Sequence, residues 1–235
     1  MDASVHISRM KLAGNVAVDA LSAQKYYHLV RLMGRSASNI ALEVALLTNP
    51  NACLLGEEVA EGKQSLKDIT MELADMIEAR SKDGKDYGVI LLPEGLIEFI
   101  PEFNSLISEI NDKLAQPEIQ PTEEAILSVL SKDNAECFRY LPGFIRAQLL
   151  LDRDPHGNVQ VAKIETEKLL AATVQNELQN RRANGYKGNF SPQFHAFGYE
   201  GRAGLPTVFD SAYCYVHSAQ DCNCISICRA KGQGP

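Results

Sequence analysis

Gly88-Val89-Ile90-Leu91-Leu92 is a continuous apolar run, too short for a helix and bounded by Gly88 and Pro93. A strand that is apolar on both faces has to be covered on both faces, and parallel sheets are the sheets built that way. The remainder of the chain is consistent with that demand, because short apolar runs alternate with longer stretches of helical period. Lys25 to Met33 reads as a strand stopped at Gly34, Ala52 to Leu55 as a short strand before Gly56, and Gln193 to Phe197 as a fourth strand ended by Gly198. Between them, Ser36 or Ser38 can cap a helix carrying Ile40, Val44 and Leu47. Ser65 with Asp68 resembles a capping box ahead of Leu66, Ile69, Leu73, Met76 and Ile77. Pro101 opens a helix whose Phe103, Leu106, Ile107, Ile110 and Leu114 form one stripe. The expected fold is α/β, a parallel sheet with helices on both faces.

Gln116 to Pro121 contains two prolines and marks a boundary. From Thr122 to Leu151 the pattern is helical, with breaks at Asp133 and Pro142. Asp152 to Asn158 reads as a surface loop. Ile164 to Ala183 reads as a long helix with Arg181 and Arg182 in its last turn and Gly185 just beyond, which suits the helix dipole and the preferences of a C-cap. The expected organisation is an α/β segment over 1–116, a mainly helical insertion over 117–183, and a return to the α/β segment over 184–235, with an atypical tail from about residue 216.

At 235 residues, 45% hydrophobic and 23% charged, the chain is long and apolar enough to bury a core and is not of the disordered class. Its net charge of −7 gives no general attraction to nucleic acid or anionic lipid, so an anionic ligand must be held by a local cluster of cations. No apolar run approaches the roughly 20 residues that cross a bilayer. Met1 to Gly14 shows no secretory pattern, and a cytoplasmic protein without membrane or nucleic-acid partners is expected. Cys214, Cys222, Cys224 and Cys228 lack the paired spacing of a zinc site; with Cys53 and Cys137 they read as free thiols.

The polar residues fall at strand ends. Three strands run directly into turns that mix glycine with charge: Met33-Gly34-Arg35, Pro93-Glu94-Gly95, and Tyr199-Glu200-Gly201-Arg202 after Gly198. Ligands of open parallel sheets bind at the carboxyl ends of the strands, so these turns can converge on one crevice. Arg35 and Arg202 offer planar forks suited to a phosphate, and Glu94 can accept hydrogen bonds from sugar hydroxyls. Each has a plainer alternative: a solvated turn for the arginines, a helix-start carboxylate for Glu94, half-buried packing for Tyr199. His28 and His195 read as packed histidines and Glu57 with Glu58 as a solvated charge pair. Asp210, Tyr213 and Tyr215 fall on a helix beginning near Pro206, with no chemistry attached.

At these residues a family resemblance emerges. Lys25-Tyr26-Tyr27, Arg31 through Ser38, Gly56-Glu57-Glu58, Val89 through Ile97, Ile164 through Leu170, and Phe197 through Arg202 together resemble the long-form, plant-type pyrophosphate:fructose-6-phosphate 1-phosphotransferases, in order from about Asp19 to Tyr215. The resemblance implies that Met33, Gly34 and Arg35 hold fructose 6-phosphate, that Glu94 binds its hydroxyls, and that Tyr199, Glu200, Gly201 and Arg202 close around its phosphate. It implies that Lys25 and Tyr26 reach a neighbouring subunit's sugar site, so that the chain works as an oligomer of like or related subunits.

The reaction so implied is reversible phosphoryl transfer from pyrophosphate to the 1-hydroxyl of fructose 6-phosphate, giving fructose 1,6-bisphosphate, with Mg2+ and an aspartate as general base. The family's glycine-rich donor turn and its threonine-any-aspartate motif are not found in these 235 residues. The expectation is a sugar-phosphate-binding portion with no catalytic or metal residue of its own, inactive alone, with exposed apolar surface where the other half docks. A regulatory or assembly subunit and an ATP-dependent phosphofructokinase are the alternatives. The long insertion between Gln116 and Asn189 favours the pyrophosphate-using branch.

Overall fold

The computed structural model describes residues 3–34, 37–115, 122–153, 158–183, 185–198, 208–209 and 211–216, with side chains from residue 12 onward except at 162. Four parallel strands form its sheet: β1 (Tyr27–Leu32), β2 (Ala52–Cys53), β3 (Gly88–Pro93) and β4 (Pro192–Phe197), in the order β2-β3-β1-β4. Ten α-helices surround it among the described residues. They are α1 (Ala3–Ala23), α2 (Asn39–Thr48), α3 (Gly56–Glu61), α4 (Leu66–Lys82), α5 (Leu96–Phe99), α6 (Pro101–Leu114), α7 (Glu123–Val129), α8 (Lys132–Tyr140), α9 (Gly143–Leu151) and α10 (Thr166–Arg182).

All of β3 is buried, as its unbroken apolar run requires. Side chains alternate between two layers. Val30, Leu32, Val89 and Leu91 pack against Ala13, Val16 and Ala20 of α1 and Ala41 and Val44 of α2. Tyr27, Leu29, Ile90 and Leu92 face the larger layer, which takes in Ile69 and Ile77 of α4, Phe103 and Ile110 of α6, and Leu169 and Val174 of α10. Ile126, Phe138 and Ile145 bring α7, α8 and α9 into that same core. Burying side chains of this size stabilises the fold by about 1.5–3 kcal/mol each. The sheet thus has helices on both faces, as the alternation of runs predicts.

Details differ from the sequence reading in instructive ways. No element was expected over residues 3–23, where α1 lies. Its inward stripe is Ala13, Val16 and Ala20, side chains so small that their apolar contrast is weak although they sit 2–7% exposed. Ser65 and Asp68 do form the reciprocal capping box. Ser38 occupies the N-cap position of α2 without capping it; its hydroxyl instead accepts from the Gly56 N–H at 2.9 Å, while the Glu57 carboxylate accepts from the Ser38 N–H at 2.8 Å. Glu57 and Glu58 stand in the first turn of α3. The break expected at Asp133 falls earlier, at Leu130 and Ser131, leaving Asp133 in the first turn of α8 where a carboxylate suits the dipole. Arg181 and Arg182 end α10 as expected, and Gly185 beyond it takes a φ of 104°.

The linker at 116–121, Asp210, and Cys222, Cys224 and Cys228 lie outside the described residues. Tyr213 and Tyr215 are exposed on a helical stretch. Burial pushes the free thiols of Cys53 and Cys137 up to about 11, which keeps them protonated and unreactive.

His28 and His195 are packed, but on each other: His28 Nδ1 lies 2.9 Å from His195 Nε2 and the rings stack with centroids 5.2 Å apart. Burial holds both imidazoles below the ordinary histidine value, His195 adding to the effect on His28 and Asp19 opposing it. The folded pair is therefore held neutral, and the unfolded chain binds protons more readily. Stability from this source is complete above an unfolded value of about 6.5 and is lost as pH falls through the lower folded values. Urea midpoints at about pH 8 and about pH 5.5 should differ more for the native chain than for His195→Gln. Equal differences would remove the histidine pair as the cause.

Candidate functional site at the carboxyl edge of the sheet

The pairing of β1 with both neighbours sets the site. Leu32 is in register with Pro93 on one side and Phe197 on the other. The three strands accordingly end at one level, and the residues that follow, Met33, Glu94 and Gly198, emerge side by side. The Glu94 N–H donates to Leu32 O at 2.8 Å and the Gly95 N–H to Gly34 O at 3.1 Å, which carries the ladder beyond the strands and locks the first two turns together. Gly34 adopts a φ of 144°, and a Cβ there would stand 2.8 Å from Ala37 O, so the turn requires glycine. Its N–H points at Glu94, with Oε2 3.4 Å away.

A hollow of about 120 Å³ lies between these ends, lined by Arg31, Leu32, Met33, Glu94, Ala196, Phe197 and Gly198. Of the residues expected to bind sugar phosphate, Met33 and Glu94 line it and Gly34 adjoins it. Arg35, Tyr199, Glu200, Gly201 and Arg202 lie outside the described residues. Lys25 and Tyr26 precede β1, where Tyr26 O accepts from the Gly88 N–H, so they belong to the opposite edge of the sheet and do not join this hollow.

The sequence reading gave Arg31 no role. Its Nη1 donates to Ile164 O at 2.8 Å and its Nε lies 3.2 Å from Glu167 Oε2. The Glu167 side chain is 4% exposed and that of Arg31 16%. Burial pushes the Glu167 carboxyl up, and the Arg31 charge offsets only part of this. The pair fixes a cation in the lining of the hollow and ties it to the start of α10. An arginine inside an apolar strand is itself a signal, since a buried charge requires a partner; the partner's identity was not readable locally. A larger hollow, about 690 Å³, opens at the ends of α4 and α10 among Glu78, Lys82, Arg181 and Tyr186, and shares no lining residue with the first. There Arg181 is already neutralised by Asp75, Glu78 and Glu177.

Three parallel strands that end level around one hollow define an α/β protein with a crevice at the carboxyl edge of its sheet. Its relatives specify which. The chain is 53% identical over 206 residues to subunit beta 2 of the pyrophosphate–fructose 6-phosphate 1-phosphotransferase of Arabidopsis thaliana, covering 87% of this chain and 36% of that protein. It is 48% identical over 221 residues to the enzyme of that name from Treponema pallidum, covering 90% and 39%. It is also 48% identical over 208 residues to subunit alpha from Solanum tuberosum, covering 88% and 33%. No protein-family model matches the chain. The phosphofructokinase of Pichia pastoris in its T-state superposes with a TM-score of 0.43 at 14% identity, over 88% of this chain and 15% of that one. The chain is a homologue of the pyrophosphate–fructose 6-phosphate 1-phosphotransferases, and it spans little more than a third of their length.

Removing Glu167 takes a buried carboxylate away from Arg31. Glu167→Ala is expected to cost about 3–5 kcal/mol in chemical denaturation. Lys168→Ala, which loses only a half-exposed pair with Glu165, should cost under about 1 kcal/mol. Equal losses would show that Arg31 draws nothing from Glu167.

Proposed function

We propose that the hollow at the carboxyl ends of β1, β3 and β4 binds fructose 6-phosphate, or fructose 1,6-bisphosphate in the reverse direction, so that this chain supplies the sugar-phosphate-binding portion of a pyrophosphate-dependent 6-phosphofructokinase. The observation that carries the reading is the meeting of the first two turns, with the Gly34 N–H aimed at the Glu94 carboxylate beside Phe197 and Gly198. In this reading Glu94 accepts hydrogen bonds from the sugar hydroxyls while the Gly34 turn brings backbone close to the ligand. Met33 forms a wall. Arg35, which follows Gly34, and Tyr199 to Arg202, which follow Gly198, hold the phosphate, Arg35 and Arg202 as planar forks.

Lys25 and Tyr26, at the opposite edge, serve the site of a neighbouring subunit. The relatives named as subunits alpha and beta support an oligomer of like or related chains. Pyrophosphate as donor, in preference to ATP, is supported by the names of the relatives. Mg2+ enters the reaction as a partner of the phosphates. Among the described residues no three His, Cys, Asp or Glu side chains cluster as a metal seat, so no step is assigned to a metal held by them. None of the residues named here acts as the general base. A cytoplasmic setting accords with the finding that no helix among the described residues is long and apolar enough to cross a membrane. The second reading is a regulatory or assembly subunit that binds sugar phosphate without turning it over.

Calorimetric titration with fructose 6-phosphate separates these readings from their failure. Binding is expected, weakened about 10- to 100-fold in Glu94→Ala by loss of a charged hydrogen-bond acceptor. A folded chain that gives no heat, or an affinity that Glu94→Ala leaves unchanged, sinks the assignment. Rapid product formation from pyrophosphate, Mg2+ and fructose 6-phosphate by the chain alone would overturn its partial character.

A further inference from the structure

Gly56 and Glu57 open α3, and neither lines the crevice, yet both are tied to the chain that leaves it. Ser38 stands at the N-cap position of α2, where a serine hydroxyl ordinarily accepts from the N–H groups of its own helix. Here it accepts from the buried Gly56 N–H at 2.9 Å, and the Ser38 N–H donates to Glu57 Oε1 at 2.8 Å. Two bonds running in opposite directions clamp Ser38, which is 2% exposed, to the start of α3.

These contacts belong to a closed circuit. Ala37 precedes Ser38, and its carbonyl oxygen would stand 2.8 Å from a Cβ on Gly34. Gly34 is joined to the second turn by the Gly95 N–H, which donates to Gly34 O at 3.1 Å. Immediately after Gly95 comes α5, whose Phe99 ring lies so close to Gly56 that a Cβ on that glycine would stand 2.3 Å from it. Gly56 in turn donates to Ser38, so α3 braces from behind the two turns that lock together in front. Glu57 is exposed and forms no ion pair among the described residues. The Ser38 N–H holds its carboxyl below the ordinary carboxylate value, which keeps it ionised at neutral pH. A carboxylate has the wrong charge to meet a phosphate. What it can do is fix a backbone N–H by a charged hydrogen bond.

We propose that Glu57, acting through Ser38, is a positioning residue for the sugar-phosphate crevice: its carboxylate anchors Ser38 and so holds the Gly34 turn against the Glu94 turn. The role rests on the assignment of fructose 6-phosphate to that crevice. It gives α3 a task that its place outside the crevice conceals, because the geometry of the ligand-facing turns then depends on a side chain that the ligand does not touch.

The test reads two quantities in the full native chain and in Glu57→Ala, Glu57→Gln and Glu58→Ala: calorimetric affinity for fructose 6-phosphate, and hydrogen exchange of the Gly95 N–H that joins the two turns. Glu57 and Glu58 are both exposed, so the three variants are expected to fold, which circular dichroism checks. In Glu57→Ala the affinity is expected to fall about three- to tenfold and the Gly95 exchange to quicken by a similar factor. Glu57→Gln should restore most of both, because its amide oxygen still accepts from the Ser38 N–H, and Glu58→Ala should match the native chain. A through-space charge effect has the opposite sign: loss of the carboxylate would tighten the binding of a phosphate, in alanine and glutamine alike, and that result overturns the proposal. So does a native affinity or a native exchange rate in Glu57→Ala, or a loss that Glu57→Gln or Glu58→Ala shares in full. Should the crevice reading fail instead, fructose 6-phosphate gives no heat with the native chain, which overturns the positioning of that ligand, while faster Gly95 exchange confined to Glu57→Ala still supports the brace between α3 and the turns.

Discussion

The pairing of β1 between β3 and β4 is the constraint from which the rest of the architecture follows. One register on each side brings Leu32, Pro93 and Phe197 to the same level. Because side chains alternate strictly across a strand, a slip of one residue would turn Val30 and Leu32 toward the layer that receives Tyr27 and Leu29, and would separate Gly34 from Glu94. Core packing and site geometry are thus fixed by the same hydrogen-bond ladder. The apolar cost of a wrong register protects an arrangement of polar turns that contributes little stability itself.

In a chain of net charge −7, where each cation stands and what it meets matters. Arg181 is spent on three carboxylates and braces α10 against α4. Arg31 is spent on Glu167 and the Ile164 carbonyl, so at the crevice it is a positioning cation whose charge is largely compensated before any ligand arrives.

What could be read from the sequence follows from how local each signal is. The strands were legible because glycine or proline bounds each apolar run, and the capping box of Ser65 and Asp68 because its two halves are three residues apart. The meeting of the first two turns at Gly34 and Glu94 was legible as polar residues at strand ends, while Arg35 and Tyr199 to Arg202 lie outside the described residues. By contrast α1 hides behind alanines, and Ser38 looked like a cap because nothing local shows that its hydroxyl serves Gly56, 18 positions on. Arg31 and its carbonyl partner are 133 positions apart, and His28 and His195 are 167 apart. Pairings at that range are products of the register of the strands, so they become visible only when the sheet is assembled.

The Arg31–Glu167 pair has a consequence for how the helical layer relates to the crevice. A buried ion pair rarely adds net stability, because desolvating two charges costs about what their attraction returns. A well-packed apolar pair at the same positions would hold α10 to β1 at least as well. What an apolar pair cannot do is keep a cation at one distance from the Glu94 turn while drawing α10 to the same point through the Ile164 carbonyl. The long segment from α7 to α10 shares its core with the sheet through Ile126, Phe138, Ile145 and Leu169, so any displacement of that segment reaches the crevice through Arg31. In that sense the helices do more than cover the sheet. They fix a charge in the lining of the hollow from a distance in sequence that no local pattern reveals.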